Sequence, residues 1–162
     1  MVLLMKLLMI IFFCKNVQNI SFVQENESMS SYGVLRGLHF QLPPFSQSKL
    51  VRVIQGSILN VSVDLRRKSA TFGKYFSIRL SDNNKQLFIP RGFAHGFISF
   101  SEHTIVNYKC DNYYCKDSES GIAWNDPELN IDWEIDSSKI IMSEKDLLNP
   151  YLKDIILKII TI

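Results

Sequence analysis

The chain reads as an all-β protein, a sandwich or barrel of the jelly-roll kind, and three observations lead there. From Val34 to Lys109, short alternating runs succeed one another with turn signals between them and no helical period intervening. Much of the 12% aromatic content falls within those runs. At 162 residues, the chain has the length of one domain able to bury most of its apolar surface, and it contains neither an internal repeat nor a low-complexity linker.

The elements follow in order. Val34 to Gln41 and Lys49 to Val53 are strand-like. Alternation continues through Val51 to Gln55, breaks at Gly56-Ser57, and resumes over Ile58 to Asp64. Further strands are expected at Tyr75 to Leu80, Gln86 to Ile89, Ala94 to Phe100 and Thr104 to Tyr108, with turns at Ser81-Asp82-Asn83-Asn84 and Pro90-Arg91-Gly92. Helix is expected only near the C-terminus, as a turn capped by Ser143 and a short amphipathic helix over Tyr151 to Ile160. Met1 to Cys14 is almost wholly apolar, interrupted by Lys6, and too short to span a bilayer, which takes roughly 20 residues. A secretory signal fits its length, but the single positive charge and the lack of a small-x-small cleavage site favour a core segment or an altered start.

Composition narrows the function. Net charge is +2 with no basic tail or stripe, which points away from nucleic acid, and nothing marks a membrane protein. Cys14, Cys110 and Cys115 are an odd number without a CxxC pair, as in a reduced cytoplasmic protein.

The chemistry centres on Arg36, His39 and Lys49. A histidine titrates near neutrality and can take and return a proton. Arg36 suits bidentate phosphate recognition, and Lys49 can stabilise a developing oxyanion. Strand alternation puts His39 on one face with Gly37 and Gln41, and Arg36 on the opposite face or where the strand begins. His95 is aimed inward after the Pro90-Arg91-Gly92 turn. Two histidines with no paired carboxylate support a metal poorly, so neither metal nor cofactor is expected. Tyr108, Tyr113 and Tyr114 flank a turn, where a buried tyrosine could serve as an acid and an exposed one could stack on a base. Asp64, Asp132 and Asp146 are the carboxylates that could orient His39.

Taken together, these segments resemble the dTDP-4-dehydrorhamnose 3,5-epimerases, a metal-free branch of the cupin jelly rolls. The resemblance runs from about Val17 to Asp146, through Gly33 to Pro44, Lys49 to Val53, Ile89 to Phe97, Gly121 to Pro127 and Ser143 to Asp146. It implies one cupin-type β-sandwich over 1–162, with an atypical start at 1–16, the family-like core at 17–146 and a tail at 147–162. It implies a substrate, dTDP-4-dehydro-6-deoxy-glucose, whose C4 ketone acidifies the protons at C3 and C5. By the same resemblance His39 matches the base, Asp146 its partner, Lys49 the enolate-stabilising lysine and Tyr108 the acid on the opposite face. Arg36 and His95 match substrate-binding positions, with Arg36 the better candidate for the diphosphate. Gln24, Glu25 and Asn26 match a nucleotide-contacting segment, Tyr114 a ring stacked on thymine, and Glu119 and Lys145 further substrate contacts. A homodimer is implied as well.

The front departs from the family. Members carry an N-terminal strand pair whose Arg and Glu reach the substrate. Counting back from Gln24 puts that Glu at Met5 and the Arg before Met1. A missing charge-assisted contact would cost ~1.5–3 kcal/mol of binding. The alternative function is therefore a catalytically impaired sugar-nucleotide binder.

Overall fold

The computed structural model describes residues 13–15, 17–82 and 85–155. Its strands are β1 (Gln24–Ser30), β2 (Leu35–Gln41), β3 (Lys49–Gln55), β4 (Ser57–Asp64), β5 (Tyr75–Ser81), β6 (Gln86–Ile89), β7 (Phe93–Ser99), β8 (Thr104–Cys110) and β9 (Glu119–Gly121). They form a four-stranded sheet in the order β1-β8-β3-β6 and a five-stranded sheet in the order β5-β4-β7-β2-β9. Every strand pairing is antiparallel. The expected strands all form. Two short helical turns follow, Glu144–Leu147 and Leu152–Ile155, and the Ser143 side chain caps the first by accepting from the Asp146 N–H. The apolar run over residues 1–12, Asn83 and Asn84 of one expected turn, and the C-terminal part of the expected helix lie outside the described residues. Among the described residues, no helix is long and apolar enough to cross a membrane.

Alternation in β4 has an unexpected meaning. An antiparallel strand with one apolar face ordinarily turns its polar face to water. Here Asn60, Ser62 and Asp64 are buried, and so are Leu59, Val61 and Val63. The apolar set faces away from the four-stranded sheet. There it packs with Leu35, Leu38, Ala94 and Ile98 beneath Ile122, Trp133, Leu152 and Ile155 of the chain that follows β9. A second cluster lies between the sheets and is made of Val51, Val53, Ile58, Leu80, Ile89, Phe97 and Val106. Each fully buried side chain of this kind contributes about 1.5–3 kcal/mol. At β4 and β7 the five-stranded sheet is therefore covered on both faces, and its polar face lines the interior of the sandwich.

β2 carries the second departure from simple alternation. Arg36 pairs with Phe97 and His39 with His95, so three residues of β2 advance against two of β7. The extra residue is a β-bulge. At this point β2 and β7 approach through glycines: a Cβ on Gly37 would lie 2.6 Å from the Gly96 Cα and 2.8 Å from the His95 carbonyl oxygen. Gly37 also has φ +124°, in the range that favours glycine. The bulge returns Arg36 to the same face as His39; of the two expected placements, the opposite face is corrected, while the position at the beginning of the strand holds.

Candidate active site

Between the sheets at one end of the sandwich lies a cleft with two lobes. One, of about 500 Å³, is lined by Arg36, His39, Lys49, His95, Tyr108, Lys145 and Asp146 among others. The other, of about 270 Å³, is lined by Gln24, Asn26, Gln41, Gln47, Tyr114 and Glu119. His39, Lys49 and Tyr108 line both, so they stand where the lobes meet.

His39 reaches the cleft from β2, in the five-stranded sheet, and Lys49 and Tyr108 reach it from β3 and β8, in the four-stranded sheet. The histidine is held by Asp146, whose Oδ1 lies 2.6 Å from Nε2 although the two residues are 107 positions apart in the chain. Backbone hydrogen bonds bring them together: Leu35 N–H donates to the Ile141 carbonyl and Ile141 N–H to the Gly33 carbonyl, both at 2.9 Å. The Ser143-capped turn then presents Asp146 to His39, with Gly37 N–H donating to its Oδ2 at 3.4 Å. Burial by itself would raise the Asp146 carboxyl, but the hydrogen bond and charge of His39, with those from Gly37 and Ser143, hold it below its usual value. An ionised Asp146 accepts the Nε2 proton, which leaves Nδ1 as the ring nitrogen able to take a proton from a substrate. Of the three candidate orienters, Asp146 is the one in place. Asp64 instead binds Arg66, Ser69 and Thr71, and Asp132 accepts from the Glu134 N–H.

The other groups divide by environment. Burial lowers the Lys49 ammonium, which has no ion-pair partner among the described residues. Its Nζ lies 5.8 Å from the centre of the Tyr108 ring. Burial raises the Tyr108 phenol, which stays protonated at neutral pH. His95 is buried, and its Nε2 donates to Asn60 Oδ1 at 2.8 Å. Burial, followed by the charges of Lys49 and His39, pushes His95 well below its ordinary value, so it is a neutral hydrogen-bonding group. Among the described residues no three His, Cys, Asp or Glu side chains converge as metal ligands.

The second lobe is built around amides. Tyr114 N–H donates to Gln24 Oε1 at 2.9 Å, and Gln24 Nε2 donates to Asn26 Oδ1 at 3.1 Å. Gln41 ties two loops together, donating to the carbonyls of Phe45 and Tyr113 and accepting from the Cys115 N–H. At the rim, Tyr114 OH and Lys145 Nζ both donate to Glu119 Oε2, at 2.7 and 2.5 Å. Burial would raise Glu119, yet these two bonds and the nearby charges hold it lower.

Eleven of the twelve site residues expected from the sequence line one or both lobes. Glu25 does not. On β1 it points to the other side of the sheet from Gln24 and Asn26 and pairs with Lys109 at 2.6 Å. The reason is the two-residue period of a strand, which puts neighbours on opposite faces. The three tyrosines also separate: Tyr108 and Tyr114 line the cleft, while Tyr113, in the loop after β8, is 64% exposed and lines neither lobe. Sequence reasoning missed Ser28, which follows Gln24 and Asn26 at the same spacing, and Asn60, which only the fold sets against His95.

Comparison with known proteins agrees with this geometry. The family model described as dTDP-4-dehydrorhamnose 3,5-epimerase matches residues 12–154. The enzyme of that name from Methanothermobacter thermautotrophicus is 53% identical over 136 residues, covering 83% of this chain and 73% of that one. A crystal structure of the Elizabethkingia anophelis dTDP-4-dehydrorhamnose 3,5-epimerase shares 52% identity with a TM-score of 0.81, over 83% of this chain and 74% of its own. A Legionella pneumophila dTDP-6-deoxy-D-glucose-3,5-epimerase, solved with dTDP-4-keto-L-rhamnose, is 41% identical with a TM-score of 0.86, over 91% and 79% of the two chains. From its sequence through its cleft, this chain belongs to the dTDP-4-dehydrorhamnose 3,5-epimerase family.

Proposed function

We infer that the chain is an isomerase that epimerises dTDP-4-dehydro-6-deoxy-D-glucose at C3 and C5 to dTDP-4-dehydro-L-rhamnose, in dTDP-L-rhamnose biosynthesis. One observation carries the mechanism: His39 and Tyr108 enter a single cleft from opposite sheets. Inversion at carbon requires a proton to leave one face of the ring and another to arrive on the opposite face, so base and acid must flank the substrate.

In this reading His39 Nδ1 removes the proton alpha to the C4 ketone, and Asp146 stabilises the resulting imidazolium. The electron pair moves onto the ketone oxygen, where the Lys49 ammonium stabilises the enolate. Collapse of the enolate takes the Tyr108 phenolic proton at the carbon from the far side. The step ends with a protonated His39 and a deprotonated Tyr108, which exchange with solvent before the next inversion. Arg36, with the neutral His95 beside it, is assigned to the diphosphate, as suits a cationic lobe that also holds Lys49 and Lys145. Gln24 and Asn26 are assigned to the nucleotide and Tyr114 to the pyrimidine face, with Glu119 and Lys145 holding that ring. Glu25 has no part in this, because its carboxylate is paired with Lys109 outside the cleft.

A homodimer is supported by the family resemblance and by the position of β1 at the edge of its sheet. A cytoplasmic setting is supported by three unpaired thiols. No observation favours the impaired-binder reading. The test is proton–deuterium exchange followed by NMR, with purified chain and substrate in heavy water. Deuterium should enter at both C3 and C5 as product forms. Binding without exchange at either carbon would overturn the catalytic reading.

A further inference from the structure

Ser28 sits on β1 two residues beyond Asn26 and lines the cationic lobe with Arg36 and His95. Its hydroxyl is shielded from solvent, yet it has no hydrogen-bond partner among the described residues. A buried hydroxyl left unpaired is destabilising, so the group is mismatched to the free protein and suited to something that enters the lobe. Its neighbours say what. Arg36 is anchored through Nε to Ser30 Oγ at 3.1 Å and through Nη2 to the Met29 carbonyl at 3.2 Å. Those contacts fix the guanidinium in the lobe that Ser28 also lines and leave Nη1 without a partner among these bonds. Lys49 and Lys145 line the same lobe, and its one carboxylate, Asp146, is already engaged by His39. A hydroxyl donor beside a fixed guanidinium in a cationic lobe matches a phosphoryl oxygen.

We propose that Ser28 is a substrate-binding residue whose hydroxyl donates to a phosphoryl oxygen of the diphosphate held by Arg36. The proposal rests on the assignment of the cleft to a dTDP-sugar and deepens it. It separates Ser28 from Ser30, whose hydroxyl is committed to Arg36, and from the groups at the junction of the lobes that handle protons.

The experiment compares wild type with Ser28→Ala by calorimetric titration of dTDP and of thymidine, by steady-state kinetics on the dTDP-sugar, and by thermal unfolding without ligand. Affinity for dTDP should fall about tenfold, as for loss of a hydrogen bond to a charged acceptor. KM should rise in step while kcat holds, thymidine binding should not change, and the ligand-free melting temperature should stay level or rise. A lowered melting temperature would reveal a structural partner for the hydroxyl and overturn the proposal. Unchanged dTDP affinity with reduced kcat would place the contact on the sugar, and equal loss for dTDP and thymidine would place it on the nucleoside; either overturns it. Wild type that binds no dTDP would remove the reading of the cleft together with the proposal, whereas wild-type binding matched by the variant removes the proposal alone.

Discussion

The two sheets contribute to the same cleft by different rules. Along the cleft, simple alternation holds in the four-stranded sheet: Lys49, Val51 and Val53 of β3 face inward, as do Gln24, Asn26 and Ser28 of β1, and the register shift between Val53 and Gln55 against β8 lies past these residues. The intervening side chains, Glu25, Leu50, Arg52, Asn107 and Lys109, line a hollow outside the cleft. In the five-stranded sheet the pattern is altered twice. A bulge in β2 brings Arg36 and His39 to one face, and cover by the chain after β9 turns the polar side of β4 inward. The plain sheet supplies Tyr108 and Lys49, the proposed acid and enolate-stabilising cation, while the altered sheet supplies His39 and Arg36, the proposed base and anion-binding group. A regular sheet spaces side chains two residues apart on a face. Holding Arg36 and His39 on one face at a spacing of three takes an inserted residue, which is what the bulge provides.

Perturbing each sheet separately sharpens that division. The largest effect is expected for His39→Ala in the altered sheet: exchange at C3 and C5 and net turnover should drop by about 10²–10⁴-fold, the usual worth of a positioned base. Appreciable residual exchange would sink the base assignment. Tyr108→Phe in the plain sheet should divide the reaction, slowing net epimerisation by about 10²-fold while exchange at the base-facing side falls less. Parallel loss of both would count against Tyr108 as the acid.

The bulge itself is open to test through Gly37→Ala. The added Cβ meets backbone at 2.6 Å, and the φ disfavours any side chain. Stability should fall by about 1–3 kcal/mol, with kcat reduced further than stability explains, because β2 must shift and carry His39 with it. Circular dichroism melts and kinetics on the surviving folded fraction check this. Unchanged kcat would mean that the close β2–β7 contact does not govern the base.

An effect on stability alone belongs to Asp64 at the end of β4. Burial there would raise its carboxyl, but bonds from Arg66, Ser69 and Thr71 hold it far below its usual value. A carboxyl depressed in the folded state adds stability above its unfolded value, near pH 4, and that stability is lost as pH falls towards the folded value. Asp64→Asn should therefore cost about 1–3 kcal/mol at pH 7, and its difference from wild type should shrink below pH 4. Denaturant unfolding at the two pH values measures it. A gap that persisted in acid would assign the effect to packing instead of charge.

The positions of most strands were legible because turn residues break the alternating runs at Gly56, at Pro90 to Gly92 and after Leu80. A resemblance spread over many blocks of the chain also named the residues proposed to handle protons, and the fold brings them to one cleft. Glu25 was misplaced because a block of three adjacent residues was treated as one contact surface, although on a strand only its outer two share a face. Ser28 could have been found by carrying the Gln24, Asn26 spacing one step further.

What the sequence determined by itself is everything local: strand and turn positions from alternation and turn chemistry, the Ser143 cap, and the residue types able to take, give or stabilise a proton. What only the tertiary structure decided is everything that depends on non-local pairing. That includes the return of Arg36 to the histidine's face, the burial of β4 on both sides and the neutral state of His95. The physical reason is the same in each case. Alternation reports that two faces differ, but register against β7 and the cover laid down by residues after β9 determine which face is interior and what each side chain meets there.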